Sequence, residues 1–265
     1  MISLARQLIQ IKTNKNLQMN GYGRGFFGLP PVVKNIIMLN VLMLLIYYAA
    51  GSVFGIDLNR VLGLYFPKSE QFIPLQIVTH IFMHGSIWHL FFNMYALYIF
   101  GQILEATWGP KRFFIYYMVC GLGAALIHES VIAYQYYNLV NILSPDQVQM
   151  VLQDGSAYLN ESKVFTDEAM KDLQILLNTP TVGASGAVFG ILLAFGVLFP
   201  NTQLFLLFPP MPVKAKYLVF FYGALELYLA VTQPGSNIAH AAHLGGMLFG
   251  YILIRYWRKT TNTLY

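Results

Sequence analysis

Six apolar runs divide the chain, at about 35–54, 88–106, 113–134, 183–199, 215–232 and 238–257. Most reach or approach the ~18 residues that mark a membrane-crossing helix. Between the first two, residues 55–87 mix Asp57, Arg60, Pro67 and Pro74 with apolar positions, which predicts a long loop carrying short interfacial helices. Trp108-Gly109-Pro110-Lys111-Arg112 closes the second run with a tight turn. Residues 135–180 are the least apolar stretch. There Asp146, Asp154, Glu161, Asp167, Glu168 and Asp172 are opposed only by Lys163 and Lys171. Helical patterns at about 145–153 and 166–178 make this a solvent-facing insertion. The pattern therefore predicts an all-α membrane protein, a six-transmembrane-helix bundle with a long first loop and an acidic insertion between helices 3 and 4.

Composition agrees. Of 265 residues 57% are hydrophobic and 10% charged, against roughly a quarter charged in soluble domains. The net charge of +5 does not point to nucleic acid, because the basic residues cluster at the ends of apolar runs. The N-terminal segment, the 107–112 turn, Lys214 with Lys216, and Arg255, Arg258 and Lys259 hold twelve of the sixteen Lys and Arg. Arg60, Lys68, Lys163 and Lys171 hold the rest. Six spans with both termini in the cytoplasm satisfy that asymmetry, and a bacterial inner membrane is the expected location. Residues 1–34 form a basic cytoplasmic segment without an acid, either an amphipathic helix on an anionic membrane surface or a disordered tail. Residues 35–257 are the membrane-embedded domain and 258–265 a cytoplasmic tail. No cleavable signal peptide is expected, and Cys120, in an apolar stretch without a basic neighbour, reads as packing.

Candidate chemistry lies in the polar residues of these spans. Ser185, in Gly183-Ala184-Ser185-Gly186, heads the fourth run, where the unpaired N–H groups and dipole of a helix start favour developing negative charge. Small residues at such a place also serve close packing. His89 and Asn93 share one helix face at i and i+4. His240 and His243 lie a turn apart in the sixth run, followed by Gly246-x-x-x-Gly250, which allows another helix to approach. Counted to Pro200, Gly109 and Arg255 at ~1.5 Å per residue, Ser185, Asn93 and His243 sit about 22, 24 and 18 Å above the cytoplasmic boundary of a ~30 Å core. They share one level.

These motifs, His89-x-x-x-Asn93, Gly183-x-Ser185-Gly186 and Ala242-His243-x-x-Gly246-x-x-x-Gly250, occur in the order seen in rhomboid intramembrane serine proteases, and the chain resembles that family over about 35–257. The resemblance implies a rhomboid-like six-helix bundle and a Ser–His dyad without the third acid of a triad. It also implies cleavage of transmembrane segments near their outer ends. Ser185 would be the nucleophile and His243 the general base, with the Ser185 N–H, His89 and Asn93 donating to the oxyanion. Phe189 stands where the family often has a tyrosine under the imidazole, and Gly183 and His240 would line the cavity, His240 bonding there or to water. His80 and His84 would tie down the first loop or guide water. Glu105 resembles a structural family glutamate. Glu226 lies in the fifth span, where burial cost demands a cavity or a partner group, and has no assigned role.

Departures include Pro74-Leu75-Gln76 in place of the family's common Trp-Arg pair, and the acidic insertion, expected to restrict substrate access or dock a partner. The expected partners are transmembrane protein substrates and membrane lipids, with no cofactor, metal or nucleic acid. His128-Glu129 is followed by Ser130-Val131-Ile132, so no His-Glu-x-x-His metal motif exists. The competing reading is a catalytically silent rhomboid-like pseudoprotease that binds and routes membrane clients. A transporter would continue its polar residues to the cytoplasmic side, where this chain is mainly apolar.

Overall fold

The computed structural model describes residues 28–205, 211–233 and 239–260, and these are mostly helical. The basic segment before Gly28 and the tail after Thr260 lie outside the described residues. Helix α1 spans Pro31–Phe54, with proline at its first position, where a missing N–H costs nothing. Glu105 accepts the otherwise unpaired Val32 and Val33 N–H groups at 2.9 and 2.7 Å. The glutamate expected to be structural is therefore an N-terminal cap from another helix.

The first loop carries α2 (Leu58–Leu62), capped by Asp57, and α3 (Gln76–Thr79), which runs into a 3₁₀ turn at His80–Phe82. Helix α4 (Ile87–Trp108) starts on Ser86, whose hydroxyl accepts from the His89 N–H, and loosens into a π turn at Leu97–Gly101. Helix α5 (Pro110–Ile142) continues well past the expected end near Tyr134. Its C-terminal extension packs Tyr136, Leu139 and Val140 against the insertion. The insertion holds α6 (Pro145–Asn160), started by a reciprocal Ser144–Gln147 capping box, and α7 (Glu168–Asn178), capped by Asp167. Phe66, Leu143, Val151, Met170, Leu173 and Leu177 form its own small core, and buried Gln174 ties it inside by donating to the Gly155 and Lys163 carbonyls.

Helix α8 (Ser185–Leu198) follows, then an antiparallel pair, β1 (Gln203–Phe205) with β2 (Pro212–Lys214), which the apolar pattern did not predict. Helices α9 (Ala215–Thr232) and α10 (His240–Thr260) complete the fold. Among the described residues four helices, α1, α4, α5 and α9, are long and apolar enough to cross a membrane. The other two expected spans are present as helices. At 14 residues, or about 21 Å, α8 is shorter than a lipid core, and α10 is less apolar, with two histidines at its start and Arg255, Arg258 and Lys259 near its end. Met38, Leu42, Leu45, Phe220, Phe221 and Val231 are exposed on α1 and α9, as suits faces turned to lipid.

The centre is the packing of α5, α8 and α10 on one another. Small residues make it possible. A Cβ on Gly246 would run into the Gly186 carbonyl, so the α8 and α10 backbones meet directly just inside Ser185 and His243. Around that crossing Tyr116, Cys120, Ile191 and Ile254 are fully buried, and the Tyr116 hydroxyl donates to the Gly190 carbonyl at 2.8 Å. Cys120 is a packing residue.

Candidate active site

The chain reaches Ser185 through a segment fixed on both sides. Thr181 and Leu64 exchange backbone hydrogen bonds of 2.9 and 2.8 Å, and the Thr181 hydroxyl meets His128 Nε2 at 2.9 Å. The Gly183 N–H then donates to the His80 carbonyl at 3.0 Å. Gly183 has φ +133°, which side-chain-bearing residues rarely adopt. A Cβ there would press on His89 Cε1 at 2.8 Å, with Ser185 Oγ 3.7 Å away. The absent side chain is thus what lets His89 come beside the serine. As the first residue of α8, Ser185 presents a backbone N–H with no acceptor inside its own helix.

Across the crossing, His243 Nε2 lies 2.9 Å from Ser185 Oγ. The imidazole stacks on Phe189 with centroids 4.1 Å apart and planes 7° from parallel, so the aromatic floor is kept without a hydroxyl. Phe189 in turn stands edge-on to Tyr222 of α9. One atom, Glu226 Oε2, faces both histidines of α10: it lies 2.6 Å from His240 Nδ1 and 3.0 Å from His243 Nδ1. The first contact is an aligned hydrogen bond; in the second the oxygen lies off the line of the N–H. His240 therefore bonds a carboxylate through Nδ1, where cavity or water contacts were expected, and a carboxylate stands behind His243, where the resemblance implied no third acid.

Asn93 is buried one turn along from His89, and one of its amide N–H groups donates to the His89 carbonyl at 2.9 Å. The second N–H of that amide is not used by this bond. His80 is buried, with Nδ1 2.9 Å from the Gln76 carbonyl, and its own carbonyl holds Gly183. His84 is buried edge-on to His89, at 5.0 Å between centroids, and neither of its ring nitrogens has a partner among the described residues. Burial, and then the neighbouring His89, push the His84 imidazole down to about 3. His80 thus holds the backbone leading to the serine, while His84 packs beside His89.

Ser185, His243, Phe189, His89 and Gly183 are thus gathered in one place, with Asn93 beside them and Glu226 and His240 behind. Glu226, His240 and His243 are the described residues whose donor atoms converge enough to hold a metal ion, all within 4.8 Å. Their 2.6 Å contact is a hydrogen-bond distance, however, and His243 already faces Ser185 with its other nitrogen. The sequence reading missed the partners of Glu226. Its signal was a lone carboxylate inside an apolar span.

Comparison with known proteins fits this geometry. The Rhomboid domain family matches residues 71–260. The chain is 31% identical over 173 residues to "RHOMBOID-like protein 12, mitochondrial" of Arabidopsis thaliana, covering 64% of this chain and 42% of that protein. It is 26% identical over 188 residues to "Rhomboid protein 1, mitochondrial" of Saccharomyces cerevisiae, covering 71% and 43%. It is 27% identical over 193 residues to "Rhomboid protease AarA" of Providencia stuartii, covering 68% and 57%. The chain spans about half the length of the curated relatives it matches. With mitochondrial proteins prominent among them, these relatives do not support the bacterial cell membrane expected from the sequence; a membrane location stands.

Proposed function

The chain belongs to the rhomboid family, and we propose that it is an intramembrane serine endopeptidase that cuts transmembrane segments near their outer ends. The observation that carries this reading is the 2.9 Å approach of His243 Nε2 to Ser185 Oγ, at the head of a helix too short to span the lipid core. At that distance Nε2 can take the hydroxyl proton as Oγ attacks a peptide carbonyl. The same nitrogen then returns the proton to the departing amine, and a water activated in the same way releases the acyl group from Ser185.

Charge develops on the carbonyl oxygen in this step. The Ser185 N–H, His89 and the second amide N–H of Asn93 are the proposed donors, each worth about 3 kcal/mol of transition-state stabilisation. Phe189 keeps the imidazole plane fixed throughout. A client helix has to unwind locally before its carbonyl reaches Oγ, because a helical backbone keeps its carbonyls engaged. Substrates are therefore membrane proteins, and lipids are the surrounding partners. The two termini take the side of the membrane that carries most of the Lys and Arg, opposite the serine.

Fluorophosphonate labelling of detergent-solubilised protein tests this, with wild type beside Ser185→Ala and His243→Ala. Label on wild type and on neither variant is the expected result. Folded wild type that takes no label and cuts no transmembrane substrate would overturn the reading in favour of a client-binding pseudoprotease. Label lost in His240→Ala but kept in His243→Ala would move the base to the other histidine.

A further inference from the structure

We infer that Glu226 is a positioning residue for His243, so that Ser185, His243 and Glu226 work as a chain of three groups. The inference rests on the protease reading of Ser185 and His243. It starts from the orientation of α9. That helix turns Phe220, Phe221, Leu227, Tyr228 and Val231 outward, while its buried residues are Ala215, Val219 and Glu226. A carboxylate pointed inward from an otherwise lipid-suited helix is costly unless donors meet it. His240 Nδ1 meets it in an aligned bond, and His243 Nδ1 stands 3.0 Å from the same oxygen, off that line; both come from α10.

A carboxylate can only accept, so the proton on each facing imidazole belongs on Nδ1. For His243 this decides the chemistry. With Nδ1 protonated, Nε2 keeps its lone pair, and Nε2 is the atom 2.9 Å from Ser185 Oγ. The opposite tautomer would donate to Oγ and could not take its proton. Phe189 fixes the plane of the ring, but a half-turn about Cβ–Cγ keeps that plane while exchanging Nδ1 with Cδ2 and Nε2 with Cε1; Glu226, facing Nδ1, selects the orientation that turns Nε2 to the serine. When the Oγ proton moves to Nε2, the imidazolium formed stands 3.0 Å from a carboxylate oxygen in a site of low dielectric. His240 has a separate part. Its aligned 2.6 Å bond anchors Oε2 at the meeting point of α9 and α10.

A metal bound by the same three residues is the rival account. Nitrogen and oxygen ligands on one tetrahedral zinc stand about 3.3 Å apart, given bond lengths of ~2.0–2.1 Å. The 2.6 Å separation of His240 Nδ1 from Glu226 Oε2 is that of a hydrogen bond.

The test uses the full chain in detergent, comparing wild type, Glu226→Gln and Glu226→Asp by fluorophosphonate labelling rate and by kcat and KM on a transmembrane substrate. Glu226→Gln is expected to lower kcat and the labelling rate by about 100-fold or more, with KM within about threefold. Glu226→Asp, which keeps the charge, is expected to recover at least about tenfold of that loss. Folded Glu226→Gln that labels at the wild-type rate overturns the inference, as does wild-type activity that a chelator abolishes and zinc restores. The ¹⁵N chemical shifts of His243 in wild type give an answer independent of turnover and of how well the variants fold. A proton on Nδ1 is required, and a proton on Nε2 alone overturns the proposal. Wild type that carries the Nδ1 proton yet takes no label would sink the protease reading while leaving Glu226 as the group that orients His243.

Discussion

Replacing Gly246 by alanine would place a methyl group against the Gly186 carbonyl, at the point where the α8 and α10 backbones touch. Neither partner is a flexible side chain, so the strain has to be relieved by moving a helix. Carbon and oxygen need roughly 3.5 Å between centres, and the close approach at Gly246 means that α10 must retreat by more than about 1 Å on that criterion. Ser185 is the residue before Gly186, and His243 lies one turn before Gly246, so the retreat acts almost directly on the 2.9 Å contact between them. Stretched to about 4 Å, that contact is no longer a hydrogen bond, and a misplacement of ~1 Å typically costs about 100-fold in rate. Overpacking of this kind also destabilises by about 1–3 kcal/mol. Gly246→Ala should therefore lose about two orders of magnitude in fluorophosphonate labelling rate, measured per folded molecule, and unfold at a lower temperature. Gly223→Ala is the control. Its Cβ would meet Met247 Cε at 3.3 Å, the far end of a flexible side chain that can give way, and its rate should match wild type. Folded Gly246→Ala labelling as fast as wild type would refute the link between this crossing and the site.

Two further outcomes concern stability. Glu105→Gln keeps the shape but removes the charge from the group that accepts the Val32 and Val33 N–H groups, so thermal unfolding should show a loss of about 1–3 kcal/mol, with labelling per folded molecule unchanged; an unaltered unfolding temperature would count against the capping role. His84 has its folded-state pKa pushed down from 6.5 to about 3 by burial, so the unfolded chain binds more protons below pH 6.5. Its contribution is therefore fully present above about pH 6.5 and is lost progressively as the pH falls towards 3. His84→Gln should flatten the acid side of a thermal-stability profile, and an unchanged slope between pH 6.5 and 4 would show that the imidazole is not kept neutral by the fold.

Ser185, His89, Asn93 and His243 were legible in the sequence because each is a polar residue in or at the head of an apolar run, and position along a helix can be counted from the end of that run. A rise of ~1.5 Å per residue carries that information. Rotation about the helix axis does not come from the same count, and rotation decides which polar residue faces which. Glu226 interrupts α9 just as plainly. Its partners, though, depend on how α9 turns against its neighbours, and that is set by contacts such as Val219 with Gly196, where a Cβ would lie 2.7 Å from Val219 Cγ2. Glu105 was hidden in the same way, since the N–H groups it caps belong to a helix about seventy residues earlier. In the insertion the helix starts could be read from Ser144-Pro145 and from Asp167, whose side chains accept from their own first turns. The extent of α6, out to Asn160, could not, because its exposed polar face follows no apolar rhythm. The two histidines of α10 illustrate both sides. They are one turn apart and share a face, so periodicity makes them equivalent, and the motif spacing was needed to choose His243. In the fold what separates them is Phe189, which stacks on one ring, and Glu226, which faces both: His243 is left pointing at Ser185, and His240 is left holding the carboxylate.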